Sequence, residues 1–152
     1  MPINSYDKYM SEAKGKGKIA NYQDYIALTK AGAALIPYGA AVQLGTDRKT
    51  VVPFTGGSFE GIALAQNIHD WVNNADDQHY KKESPVAVVT KGVIWVQVEE
   101  DVLPGDAAVI DNTTSNFRPG TTATETVTAL AGARFRSAAV AGDLAQLEIN
   151  LP

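Results

Sequence analysis

The sequence predicts a mainly β protein, a small β-barrel or β-sandwich-like head with an extended N-terminal arm and two long loops. Three observations predict it. From residue 26 onward, apolar residues come in short runs broken by Gly, Pro, Asp and Asn. Some runs alternate: Ile94, Val96 and Val98 against Trp95, Gln97 and Glu99, and Leu147, Ile149 and Leu151 against Gln146, Glu148 and Asn150. Strand entries recur about every ten residues, the spacing of sandwiches and barrels.

In order, Ile26–Thr29 reads as a short strand. Ala40–Leu44 follows the turn Pro37-Tyr38-Gly39, and Val51–Phe54 follows Thr46-Asp47-Arg48. Phe59–Ala65 comes after Gly56-Gly57. Val86–Thr90 and Val93–Glu99 flank Lys91-Gly92, read as a tight turn closing a hairpin. Ala107–Ile110 follows Pro104-Gly105-Asp106, and Ala133–Ser137 and Leu144–Leu151 close the chain. A strand-entry pattern recurs at Ile36-Pro37-Tyr38-Gly39, Leu103-Pro104-Gly105-Asp106 and Val140-Ala141-Gly142-Asp143. Its unequal intervals make it a reused turn and not a solenoid repeat.

Residues 26–152 form the barrel domain, and residues 1–25 are the arm. Ala-Lys-Gly-Lys-Gly-Lys at 13–18 alternates glycine with charge, so it offers neither a core face nor strong propensity. Four of the six tyrosines, Tyr6, Tyr9, Tyr22 and Tyr25, lie in this polar stretch. Two readings fit them: contact with a partner, since tyrosine is favoured at interfaces, or folding back onto the chain's own barrel. Residues 66–84 are too polar for core strands and form the first long loop; the Thr-rich residues 111–132 form the second, with strand character near Thr124–Leu130.

At 152 residues and 45% apolar content the chain has the length of one domain and enough apolar surface for a core. Its net charge of −4 gives no global drive toward nucleic acid. That charge is uneven: residues 1–34 carry five lysines against three acidic residues, whereas the remainder carries eight basic against fourteen acidic. The chain has no cysteine, which excludes disulfides, thiolate nucleophiles and cysteine zinc sites. Neither a secretory h-region nor a membrane-length apolar run is visible, so no membrane partner is expected.

No motif for chemistry survives inspection, so no catalytic, cofactor-binding or metal site is expected. Gly56-Gly57-Ser58 lacks the closing glycine of a nucleophile elbow, and Ser58 reads as a loop hydroxyl. His69 and His79, with Asp70, Asp76 and Asp77 between them, have no metal-ligand spacing and read as a solvated loop. Gly15-Lys16-Gly17-Lys18 is not a P-loop, because Ile19 stands where a Ser or Thr is required. Lys91, in Thr-Lys-Gly, lacks the signature of a biotinyl or lipoyl carrier lysine.

With these pieces in order, the chain from about Gly32 to its end resembles the cement (decoration) proteins of tailed-phage capsids. The resemblance is carried by residues 31–44, Phe-Glu-Gly-Ile-Ala-Leu at 59–64, residues 85–98 around Lys-Gly-Val-Ile-Trp-Val, Leu-Pro-Gly-Asp-Ala-Ala-Val at 103–109, and Gly-Ala-Arg-Phe-Arg-Ser at 132–137. It implies a virion protein on the capsid exterior, made in the host cytoplasm. It also implies an oligomer, a homotrimer being favoured, that binds the major capsid protein and stabilises the shell by bridging neighbouring subunits. The partner-binding candidates are Tyr6, Tyr9, Lys14, Lys16, Lys18, Tyr22 and Trp71. The alternative is a carbohydrate- or receptor-binding virion module, with Trp71, Tyr80 and Trp95 stacking on sugars.

Overall fold

The computed structural model describes residues 15–20, 24–66, 78–122 and 126–152. Eleven strands run in the order β1 (Ile26–Gly32), β2 (Ile36–Pro37), β3 (Ala41–Leu44), β4 (Thr50–Pro53), β5 (Phe59–Ala63), β6 (His79–Tyr80), β7 (Pro85–Gln97), β8 (Ala107–Asp111), β9 (Phe117–Pro119), β10 (Val127–Phe135) and β11 (Leu144–Asn150). The expected β-barrel is present. Strands β1-β4-β3-β5-β7 follow one another, and β1 pairs with β7 to close the ring. From β7 the sheet continues through β11, β10, β8 and β9, while β2 and β6 form a separate two-stranded ribbon.

The long strand β7 belongs to both parts. Its first half pairs antiparallel with β1, from Ala31 opposite Pro85 to Ile26 opposite Lys91. Its second half pairs with β11, from Asn150 opposite Lys91 to Leu144 opposite Gln97. The expected hairpin at Lys91-Gly92 is therefore absent: the chain passes straight through these residues as one strand of 13. Gly92 marks the change of partner instead. Its φ of +138° is one that side-chain-bearing residues rarely adopt, and a Cβ there would lie 2.8 Å from Cβ of Tyr25. Glycine lets the chain entering β1 cross close over β7.

The C-terminal strand turns Leu147 and Ile149 into the core as expected, along with Ile94, Val96 and Val98. The facing prediction for Trp95 was too simple. Trp95 is only 2% exposed, and Val93 1%, so both faces of this half of β7 are buried. Two runs read separately, Thr124–Leu130 and Ala133–Ser137, meet in the single strand β10, with Thr124 and Glu125 outside the described residues.

Alternation divides the interior. Ala41, Ile62 and Val89 enter the larger cluster with Phe54, Ile110, Phe117, Phe135, Leu147 and Ile149. Their neighbours Val42, Ala63 and Val88 enter a second cluster with Ile36, Tyr38, Val51, Tyr80 and Val86. There the Tyr38 and Tyr80 rings meet edge to face at 5.2 Å. The far end of the first long loop thus seals this second cluster, through β6 paired on β2.

Candidate interaction surfaces

Of the seven sequence-predicted contact residues, only Lys16 and Lys18 lie within the described residues; Tyr6, Tyr9, Lys14, Tyr22 and Trp71 lie outside them. The described part of the arm docks on its own barrel. The Gly17 N–H donates to the Trp95 carbonyl at 2.7 Å, the Trp95 N–H to Lys18 at 2.9 Å, and the Ala20 N–H to Val93 at 2.8 Å. Ile19 packs against the larger core cluster. Glycine is required at position 17, where φ is +84° and a Cβ would lie 2.7 Å from the backbone nitrogen of Gly39. The alternation of glycine with lysine, which looked structureless, is what permits this close approach.

This placement separates the two lysines. Lys18 is exposed, whereas Lys16 is half-buried. Burial holds the Lys16 ammonium below the ordinary lysine range, partly offset by the charge of Glu99. Lys16 therefore belongs to the barrel wall more than to a basic surface patch.

Several large apolar residues that sequence reasoning did not single out are exposed. Tyr25, Ile26 and Leu28 stand 48%, 52% and 47% exposed at the start of β1. Leu103 and Val140 are 64% and 63% exposed. They open two of the three recurring turns, which the fold brings side by side: the Val102 N–H donates to Ala139 at 2.9 Å and the Ala139 N–H returns to Val102 at 3.1 Å. Gly105 and Gly142 have φ of +95° and +86°, and each turn closes by a bond from the Asp N–H to the opening carbonyl, Leu103 or Val140. In the third copy of the pattern, the opening residue Ile36 is completely buried. The repeat was legible in sequence, but its division into one buried and two exposed copies was not.

Polar side chains converge at one other place. The Arg118 guanidinium bonds Asp111 Oδ2 at 2.7 Å and Glu100 Oε1 at 3.1 Å, and Asn116 Nδ2 donates to Glu99 Oε1 at 2.6 Å. The other Asp111 oxygen accepts the N–H groups of Thr113 and Thr114. Burial alone would raise the Asp111 carboxyl; the Arg118 bond and the two N–H groups outweigh it and hold it below the ordinary range. This network folds the β8–β9 turn at the base of the second long loop, and it offers no nucleophile or open base. Among the described residues no group of His, Cys, Asp and Glu is arranged to hold a metal ion. Ser58 is an exposed loop residue, and no histidine or acidic residue contacts it among the described bonds. Tyr80 and Trp95 are each 2% exposed, so neither presents a ring face to a sugar.

The family model described as structural cement protein (E217 gp24/Pam3 gp6) matches residues 3–150. The chain belongs to this family of phage cement proteins. It is a structural protein of the phage virion, as the resemblance implied. Among solved structures, a chain from the capsid of the myovirus phage XM1 is similar over 97% of this chain and 96% of its own, at 14% identity and a TM-score of 0.66. A chain from the base of the head fibre gp8.5 of bacteriophage phi29 is similar over 84% and 95%, at 14% identity and a TM-score of 0.48. The first of these likenesses shows the fold is shared. No curated protein sequence matches the chain.

Proposed function

We propose that this cement protein binds the outside of a phage head and stabilises it by bridging neighbouring major capsid protein subunits, without catalysis. The observation that carries this reading is the family match over nearly the whole chain, barrel and arm together. The mechanism is mechanical. A protein that binds only the assembled shell shifts the equilibrium toward assembly, and many equivalent sites make modest contacts add up. The barrel supplies a rigid body. The bridging contacts fall to the arm and the loop at 66–84, with Tyr6, Tyr9, Lys14, Lys18, Tyr22 and Trp71 as anchors. Lys16 contributes less, because the barrel half-buries it. Contacts from the basic arm to acidic shell surface weaken as salt rises. The burial of Tyr80 and Trp95 removes two of the three rings on which a sugar-binding reading rested.

The test uses shells assembled without this protein. They rupture at lower temperature than complete ones, and adding the purified protein in chelator, without nucleotide, restores them. Equal rupture temperatures at confirmed occupancy sink the bridging reading.

A further inference from the structure

Two of the three recurring turns meet outside the named strands. Val102 and Ala139 form an antiparallel bridge and bond each other in both directions. Val102 turns into the larger core cluster. Alternation puts Asp101 and Leu103 of one segment, with Ala138 and Val140 of the other, on the opposite face, and all four are exposed. Between the turns lies an open groove of about 400 Å³, lined by these four residues with Val102, Ala139 and Asp143.

Aspartates hold this groove in shape. Asp106 Oδ2 accepts the Leu103 N–H at 2.9 Å, and Asp143 Oδ1 accepts the Leu144 N–H at 2.8 Å. Asp101 Oδ1 accepts the Ala141 N–H at 2.9 Å and so ties the first turn to the second. Each bond uses one carboxylate oxygen and leaves the other. Leu103 and Val140 are thus kept in water on a fixed frame, a surface that loses little freedom when a partner covers it.

Charge indicates the occupant. Five lining residues are apolar, two are aspartates, and no lysine or arginine lines the groove. Acidic segments are repelled there. An apolar side chain with a base beside it matches both the floor and the rim. No aromatic ring lines the groove, so it offers a sugar no stacking face. We infer that the groove is a further contact face, on the barrel itself, for a segment of a neighbouring shell subunit in which a large apolar side chain stands next to Lys or Arg. The inference rests on the shell-bridging reading, and it gives the contact a polarity. The basic arm meets acidic surface, whereas this end of the barrel meets basic surface.

The first measurement uses the purified full-length chain and two tripeptide probes. Acetyl-Lys-Leu-Lys-amide shifts the amide resonances of Leu103 and Val140, and acetyl-Glu-Leu-Glu-amide does so about tenfold less at equal concentration. Asp101→Asn with Asp143→Asn keeps the acceptor oxygens and abolishes the preference. The second measurement uses shells assembled without this protein. Leu103→Ser with Val140→Ser leaves melting unchanged, because both side chains are exposed, and lowers affinity for shells about tenfold. A double variant that binds shells like wild type overturns the groove but leaves the bridging reading intact; a wild type that does not bind shells at all sinks both. Equal shifts from the two tripeptides overturn the charge argument. A wild-type dimer in sedimentation equilibrium that the double serine variant abolishes gives the groove to a second copy and also overturns the inference.

Discussion

Strands β1 and β11 are each seven residues long and each pairs antiparallel with the same strand, β7. Strand β11 lies between β7 and β10, and Ala145, Leu147 and Ile149 are at most 1% exposed. Among the described residues, strand β1 has β4 beside only Ala31 and Gly32, and it buries only Gly32. One strand is held by its surroundings on every side, whereas the other is held almost entirely by backbone bonds to β7. Of the two, β11 therefore carries core packing, whereas β1 adds no apolar side chain to either core cluster.

The contrast is sharpest in Ile149→Ala. Removing this completely packed side chain costs about 2–5 kcal/mol, read as a drop in chemical or thermal stability. A variant that melts like wild type would show that the C-terminal strand is not part of the core.

Truncation probes the other edge of the same half of β7. Deleting residues 2–14 leaves melting unchanged, because the bonds to Val93 and Trp95 begin at Gly17. Deleting residues 2–20 removes all three of those bonds, the bond from the Ala65 N–H to Gly17 and the packing of Ile19, a loss of about 2–3 kcal/mol. Equal melting of the two truncated chains would mean that the docked segment contributes nothing.

Asp111→Asn gives a smaller effect of about 1–2 kcal/mol at neutral pH, through loss of the charged bond to Arg118. Its pH dependence has a definite sign. The folded-state pKa is lowered, so the stabilisation is complete above the ordinary carboxylate range and is lost as pH falls through the lowered value. Melting curves of wild type and variant should converge in acid; a constant gap would assign the effect to packing.

The smallest effect belongs to Leu28→Ser, which changes monomer stability by less than about 0.5 kcal/mol because the side chain is already half in water. A large loss would make β1 as much a core strand as β11 and erase the contrast.

Much of this was legible in the chain itself. Alternation at Leu147 and Ile149 identified a core face, and Pro104-Gly105-Asp106 and Ala141-Gly142-Asp143 identified strand entries, because side-chain period and glycine φ are local properties. The lack of a catalytic motif and the ordered cement-family signature were readable for the same reason. Lys91-Gly92 misled, because a glycine that ends a hairpin and one that lets another chain cross a strand look alike until the crossing residue, Tyr25, is in place. The docking of Gly17 was invisible, since the glycine opposite it is Gly39, distant in sequence. Nor could the sequence show that Trp95 is buried on the face opposite Ile94, or that Leu103 and Val140 are neighbours while Ile36 lies in the core. Periodicity determines which residues share a face; only the path of the rest of the chain decides which faces are covered.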